Sequence, residues 1–137
     1  MPDKRLLHTA LIPVRWGDMD NYGHVNNTVY LEYIQEARIG WFASVGIDID
    51  HAAQGPVVLQ TLHTYLKPVV HPATLVVELY AGAVGRSSLV IEHRLSTQAD
   101  PQHCYGEGYC KLVWVNHHSN TSVPLPQDIR QVMGGEG

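Results

Sequence analysis

Over residues 8 to 16 polar and apolar positions alternate, with His8, Ala10, Ile12, Val14 and Trp16 on one side and Thr9, Leu11, Pro13 and Arg15 on the other. A period of two predicts a strand with one buried face. Pro13 has no N–H to give to a neighbour, so this strand belongs at a sheet edge or carries a bulge. Residues 17 to 27, rich in Gly and Asn, read as a turn. From about Thr28 to about Val45 the period changes. Tyr30, Tyr33, Ala37, Trp41 and Val45 recur at three- and four-residue spacing, and Leu31, Ile34 and Phe42 widen the stripe. The spacing predicts a helix, and the width predicts enclosure on more than one side. Asn26, Asn27 and Thr28 all suit a cap, Ala37 and Gly40 leave room for close backbone approach, and Gly46 suits the helix end.

The rest of the chain is strand-like. Four runs stand out: 57 to 67, stopped by Pro68; 74 to 84, ended by Gly85; 87 to 97, where Leu89, Ile91, His93 and Leu95 alternate with Val90, Glu92 and Arg94; and 105 to 116. Short turns between consecutive strands predict an antiparallel meander. From about Pro124 one short helical turn is expected, fraying at Gly134, Gly135 and Gly137. One long helix with an antiparallel sheet is an α+β layout. There is neither repeat nor linker, so residues 1–137 are expected to form a single domain.

Composition narrows the function classes. The chain of 137 residues is 45% hydrophobic and 16% charged, with a net charge of −4. Such a chain is globular, and nucleic acid is not its expected partner. Cys104 and Cys110 match no zinc spacing and suit a reducing cytoplasm. The opening residues lack the apolar run of a signal peptide, and no stretch approaches the ~20 apolar residues of a membrane span. The expected location is the cytoplasm, without membrane insertion. Nine histidines invite a metal reading, but His117-His118 is adjacent and no HExxH occurs. No metal and no cofactor is expected, and His63, His71 and His93 read as strand or interface residues.

The turn carries the chemistry. Asp18 and Asp20 lie between Gly17 and Gly23, immediately before the helix. A carboxylate can accept a proton or attack carbon, and the free N–H groups of a first helical turn stabilise negative charge on oxygen. Acyl hydrolysis needs both. Each residue also has a structural reading. Aspartates hold turns through their own backbone, Asn26 and Asn27 cap helices, and His24 serves either as acid–base group or as a structural imidazole.

The run Asp18-Met19-Asp20-Asn21-Tyr22-Gly23-His24-Val25-Asn26-Asn27 resembles the hotdog-fold acyl-CoA thioesterases, in particular the 4-hydroxybenzoyl-CoA thioesterase-like subgroup. Tyr30, Tyr33, Glu36, Ala37 and Arg38 extend the match along the helix. Tyr65-Leu66-Lys67-Pro68-Val69-Val70-His71-Pro72 and Gly85-Arg86-Ser87-Ser88 add weaker ones, and the resemblance covers about residues 8 to 116. It implies an antiparallel sheet wrapped around one long central helix, an acyl-CoA substrate, and homodimers or homotetramers with sites at the subunit interface. It also implies that Asp20, the second aspartate of the motif, is catalytic and that the backbone N–H of Asn27, seven residues on, polarises the thioester carbonyl. Asparagine departs from the histidine or tyrosine that some relatives carry there. Glu32 and Glu36 are the helix-borne alternatives to Asp20 and suit the motif less well.

Asp18 and His24 are accessory candidates. Tyr30, Tyr33 and Trp41 read first as core, and Tyr30 or Tyr33 also as a wall for the acyl group, with Tyr30 the chosen candidate. Arg86, Ser87 and Ser88 are either an ordinary polar hairpin or a phosphate-binding cluster for coenzyme A, with Lys67, Arg94 and Lys111 as further cations. The expected activity is hydrolysis of an aliphatic or aromatic acyl-CoA, with Asp20 as general base or nucleophile. A hotdog hydratase or dehydratase using Asp20 with His24, and a non-catalytic acyl-CoA-binding module, are the alternatives. No Gly-x-Ser-x-Gly elbow occurs.

Overall fold

The computed structural model describes residues 4–47 and 52–134. Strand β1 (Leu6–Pro13) leads through a single 3-10 turn (Trp16–Asp18) into helix α1 (Asn27–Ser44). Strands β2 (Gln54–Tyr65), β3 (Thr74–Val84), β4 (Ser88–Thr97) and β5 (Gly106–Asn116) follow, then the short β6 (Thr121–Ser122) and helix α2 (Gln127–Val132). The strands belong to one antiparallel sheet in the order β1-β3-β4-β5-β2, with β6 beside β5. The sheet wraps α1, the hotdog arrangement anticipated above.

Alternation decides which face meets the helix. Leu75, Val77 and Leu79 on β3, Leu89, Ile91 and Leu95 on β4, and Cys110, Leu112 and Trp114 on β5 are buried. Tyr30, Tyr33, Ile34, Ala37, Trp41 and Phe42 are the buried residues of α1. Each large side chain moved wholly from water contributes roughly 1.5–3 kcal/mol, so this layer dominates the stability. Leu125, Ile129 and Met133 add the α2 end of the same core.

Several expectations change in detail. The first strand begins earlier and ends at Pro13, and Trp16, assigned to its inner side, is exposed. Pro13 does stand on an edge strand. The helix spans Asn27–Ser44, with Asn26 as its cap, its side chain accepting the Thr28 N–H at 2.9 Å. Enclosure of the helix is incomplete, because Leu31 and Ile39 are exposed. The meander holds for β3-β4-β5 and the short β6 but not for β2. Strand β2 pairs with β5 at the far edge instead of with β3, because the 66–73 connection carries the chain past the helix N-terminus to the other side. The short helical turn is found as α2, and Gly135 and Gly137 of the expected frayed end lie outside the described residues. Cys104 and Cys110 are free thiols.

Candidate active site

The loop between β1 and α1 is built around Asp18. Its carboxylate accepts the Arg15 backbone N–H at 3.0 Å, the Arg15 guanidinium at 2.9 and 3.1 Å, and the Tyr33 hydroxyl at 2.7 Å. Asp18 is buried. Burial alone pushes its carboxyl up, but the hydrogen bonds from Tyr33 and Arg15 outweigh this and hold it below the usual carboxylate range. Burial and the bond to Asp18 together push the Tyr33 phenol well up, so it remains the donor. The Asp18 carbonyl also accepts the Asn26 N–H at 2.9 Å, which fixes the residue that caps α1. Asp18 therefore holds the loop, and its oxygens are occupied.

Asp20 sits differently. Between the bridged residues Met19 and Val25 the chain makes a tight tip, closed by Asp20 N–H to the His24 carbonyl (2.9 Å) and Gly23 N–H to the Asp20 carbonyl (3.0 Å). Gly23 takes φ +78°, which favours glycine at this position. One Asp20 oxygen, Oδ1, accepts the Tyr22 N–H at 2.9 Å, and Oδ2 has no partner among the described residues. The carboxylate is half-buried at one wall of a cleft of about 390 Å³.

Asn27 lies across that cleft, at the first position of α1. In the first helical turn the Thr28 N–H goes to the Asn26 side chain and the Val29 N–H to the Asn26 carbonyl. The Asn27 N–H has no acceptor among the described residues. An unpaired donor at the positive end of an 18-residue helix suits a developing oxyanion. Tyr30 forms the back of the cleft. Its Oη accepts the Val69 N–H at 3.1 Å, and burial pushes its phenol up. Tyr65, Leu66 and Pro68 supply an apolar side, and the exposed Tyr22 and His24 stand at the rim.

Of the residues singled out in the sequence, the fold brings Asp20, His24, Asn27 and Tyr30 to one cleft and leaves Asp18 behind it. Arg86, Ser87 and Ser88 are not part of this cleft. Ser88 pairs with Val113, whereas Leu95, seven residues further along β4, pairs with Gly106, itself opposite Tyr65. At 3.3 Å per residue the Arg86 turn is roughly 23 Å from the Asp20 end within one chain. Lys67 and Arg94 are engaged by Asp100 (3.3 Å) and Glu78 (3.4 Å), so they form no common patch with Arg86. Tyr65 was not singled out as a site residue. The signal lay in β2, where Thr61, His63 and Tyr65 share a face and end against the helix start. Among the described residues no cluster of three His, Cys, Asp or Glu side chains can hold a metal, and no helix is long and apolar enough to cross a membrane.

The sequence profile of the Thioesterase-like superfamily matches residues 14–133. The chain belongs to that superfamily. It is thus an enzyme of the thioester-hydrolase class, and the loop and helix start described above lie within the matched region. Among solved structures, the PA2801 protein of Pseudomonas aeruginosa, named as a candidate thioesterase, is 69% identical, covers 94% of this chain and 99% of its own, and superposes with a TM-score of 0.92. A candidate acyl-CoA thioesterase from Xanthomonas campestris is 40% identical, covering 80% of this chain and 93% of its own, with a TM-score of 0.75. The uncharacterized protein YsmA of Bacillus subtilis is 26% identical over 122 residues, which is 89% of this chain and 82% of YsmA.

Proposed function

We propose that this protein hydrolyses an acyl-CoA thioester to the free acid and coenzyme A, with Asp20 as the reacting carboxylate and the Asn27 N–H as the oxyanion donor. The observation that carries this reading is the unpaired Asn27 N–H in the same cleft as the half-free Asp20 carboxylate. The thioester carbonyl oxygen points to Asn27. Asp20 either takes a proton from the attacking water or attacks the carbonyl carbon itself to give an anhydride, which water then opens. The thiolate leaves without a strong acid. The 40% identical Xanthomonas protein, named as a candidate acyl-CoA thioesterase, supports coenzyme A as the carrier. His24 meets Asp20 through its backbone carbonyl and not its ring, which favours hydrolysis over a hydratase pairing of the two side chains.

The working unit is a homodimer built on the β2 edge, which pairs further into a tetramer if a second face is used. Val57, Val58, Leu59 and Leu62 on β2 and Leu31 and Ile39 on α1 are all more than 40% exposed. A long apolar edge strand of this kind calls for cover. Two-fold antiparallel pairing turns the partner's far end toward this chain's Asp20 end. The partner's Arg86, Ser87 and Ser88 then bind the nucleotide of the coenzyme, while Tyr30 contacts the acyl group.

A thiol-release assay across aliphatic, aromatic and polar acyl-CoAs tests the proposal. Turnover of at least one class, with coenzyme A and free acid in equal amounts, is the expected result. Tight binding without release across the panel favours a binding module, and hydration of an enoyl-CoA favours the hydratase.

A further inference from the structure

Tyr65 reaches the reacting end of the helix from the sheet. Its hydroxyl donates to the Asn27 carbonyl at 2.8 Å. This is the carbonyl that the helical ladder offers to Leu31, so Tyr65 occupies its second lone pair at the first residue of α1. Helix ends fray because their groups lack internal partners, and a hydroxyl fixed to the sheet opposes that.

The Tyr65 ring is itself held. It stands edge-on to Tyr30 (5.1 Å between centroids, 81°) and to His63 (4.6 Å, 84°). His63 stacks on Tyr30 at 5.7 Å and on His93 at 5.0 Å, and its Nδ1 shares a hydrogen bond with His93 Nε2 at 2.8 Å. His93 is buried on the neighbouring core face. The space for this stack exists because β5 has glycine beneath it. A Cβ on Gly106 would come within 2.6 Å of the His63 ring. Two ring nitrogens, His63 Nε2 and His93 Nδ1, are buried without partners among the described residues. The protein tolerates that cost at the back of the aromatic stack.

Resting on the proposed acyl-CoA hydrolysis, we infer that Tyr65 is a positioning residue: its hydroxyl clamps Asn27 so that the Asn27 N–H meets the oxyanion, and the His63–His93 pair is its backstop. The clamp acts on the carbonyl common to every thioester. Its effect therefore belongs in kcat and is the same for all acyl groups. Displacing a positioned group by about 1 Å costs on the order of a hundredfold, and loosening it costs less.

The test uses Tyr65→Phe, which keeps the ring and removes only the hydroxyl. The expected kcat is about tenfold lower, with KM within about twofold, for aliphatic and aromatic acyl-CoAs alike. The melting temperature should fall by no more than about 5 °C, since one solvated hydrogen bond contributes little. In parallel, NMR amide exchange of the full protein should be faster at Thr28, Val29 and Leu31 in Tyr65→Phe and unchanged in the second half of α1. Wild-type kcat in the variant overturns the inference, whatever the exchange shows. So does a loss confined to KM, and so does a loss that varies with the acyl group, which would make Tyr65 an acyl contact. If the wild type hydrolyses no acyl-CoA, the functional reading has failed. The exchange measurement then decides the clamp alone: faster exchange upholds it, and unchanged exchange overturns it.

Discussion

At the β3–β4 turn every backbone carbonyl has a donor, and at the β1–α1 loop some polar groups have none. Arg130 Nη2 donates to the Gly85 and Arg86 carbonyls at 2.9 and 3.1 Å, the Leu125 N–H to Arg86 at 2.9 Å, and the Trp114 N–H to Ser87 at 2.7 Å. At the other end the Asn27 N–H and Asp20 Oδ2 are unmatched among the described residues, facing a cleft with aromatic walls. Both stretches are short, polar and glycine-bearing. The difference is that one uses its backbone to tie α2 to the sheet, and the other leaves a donor and an acceptor open to the cleft, which the proposed reaction uses. Unmatched groups in a half-enclosed site are where chemistry is to be sought.

The sharpest way to break this contrast is to exchange the two aspartates' properties in turn. Asp20→Asn keeps the size and the bond to Tyr22 but removes the carboxylate proposed as base or nucleophile. It should lower kcat at least about a hundredfold while leaving the fold intact. Asp18→Asn should do the reverse. It disturbs a buried carboxylate with four donors, so it should destabilise the protein by roughly 2 kcal/mol, read as a lower urea midpoint. If Asp20→Asn retains more than about a tenth of the wild-type kcat, a barrier change below roughly 1.4 kcal/mol, Asp20 is not the central residue.

A second measure of the same end is its acid sensitivity. Burial, then the facing His63 and Arg38, pushes His93 down to about 3, and burial also lowers His63. Tyr30 and Tyr65 are the other titratable groups against the pair, and both phenols are pushed up by burial, so neither titrates in acid. The folded imidazole of His93 thus stays neutral where the unfolded one, near 6.5, takes a proton. Stability is complete above pH 6.5 and falls as pH drops toward 3, by up to about 1.4 kcal/mol per unit, or about 2 kcal/mol at pH 5. Asp18 and Asp100 are lowered from carboxylate values near 3.8, so their contribution is lost mainly below about pH 5, at the acid end of this window. Urea unfolding at pH 6.5, 5.75 and 5.0 and fixed protein concentration checks the slope. His93→Gln should flatten it, and an equal slope in wild type and variant would assign the acid sensitivity to other groups.

How much of this was legible beforehand follows from the range of the interactions. The helix and the alternation of Leu89, Ile91, His93 and Leu95 are set by neighbours within a few residues, and periodicity reads them directly, while the local sequence narrows the cap only to Asn26, Asn27 or Thr28. The position of β2 beside β5 is not, because strand order is decided by how the 66–73 connection passes α1, and no local pattern encodes that. The motif brought out Asp20 and Asn27 together because one loop carries both. Tyr65 was missed as a site residue because it reaches Asn27 across 38 positions of sequence through a hydroxyl. The separation of Arg86 from Asp20 was hidden for the same reason: it depends on the register of β4 against β5.

The smallest effect concerns the Arg86 turn, and it sharpens the comparison most finely. Because the backbone there is tied by Arg130, Leu125 and Trp114, the Arg86 side chain is exposed and carries none of those bonds. Arg86→Ala should therefore leave stability almost unchanged. If the partner's Arg86 meets the phosphates of coenzyme A, KM for acyl-CoA should rise about fivefold with kcat little altered, the mark of uniform binding. The penalty should shrink in high salt, where exposed charge pairs are screened. It should vanish for an acyl-pantetheine thioester, which has no nucleotide, and it should appear only where light scattering reports a dimer or larger species. Equal loss with both thioesters would place the effect in the sheet or the subunit contact, and a nucleotide-dependent loss in a strict monomer would mean that the turn reaches the ligand without a partner.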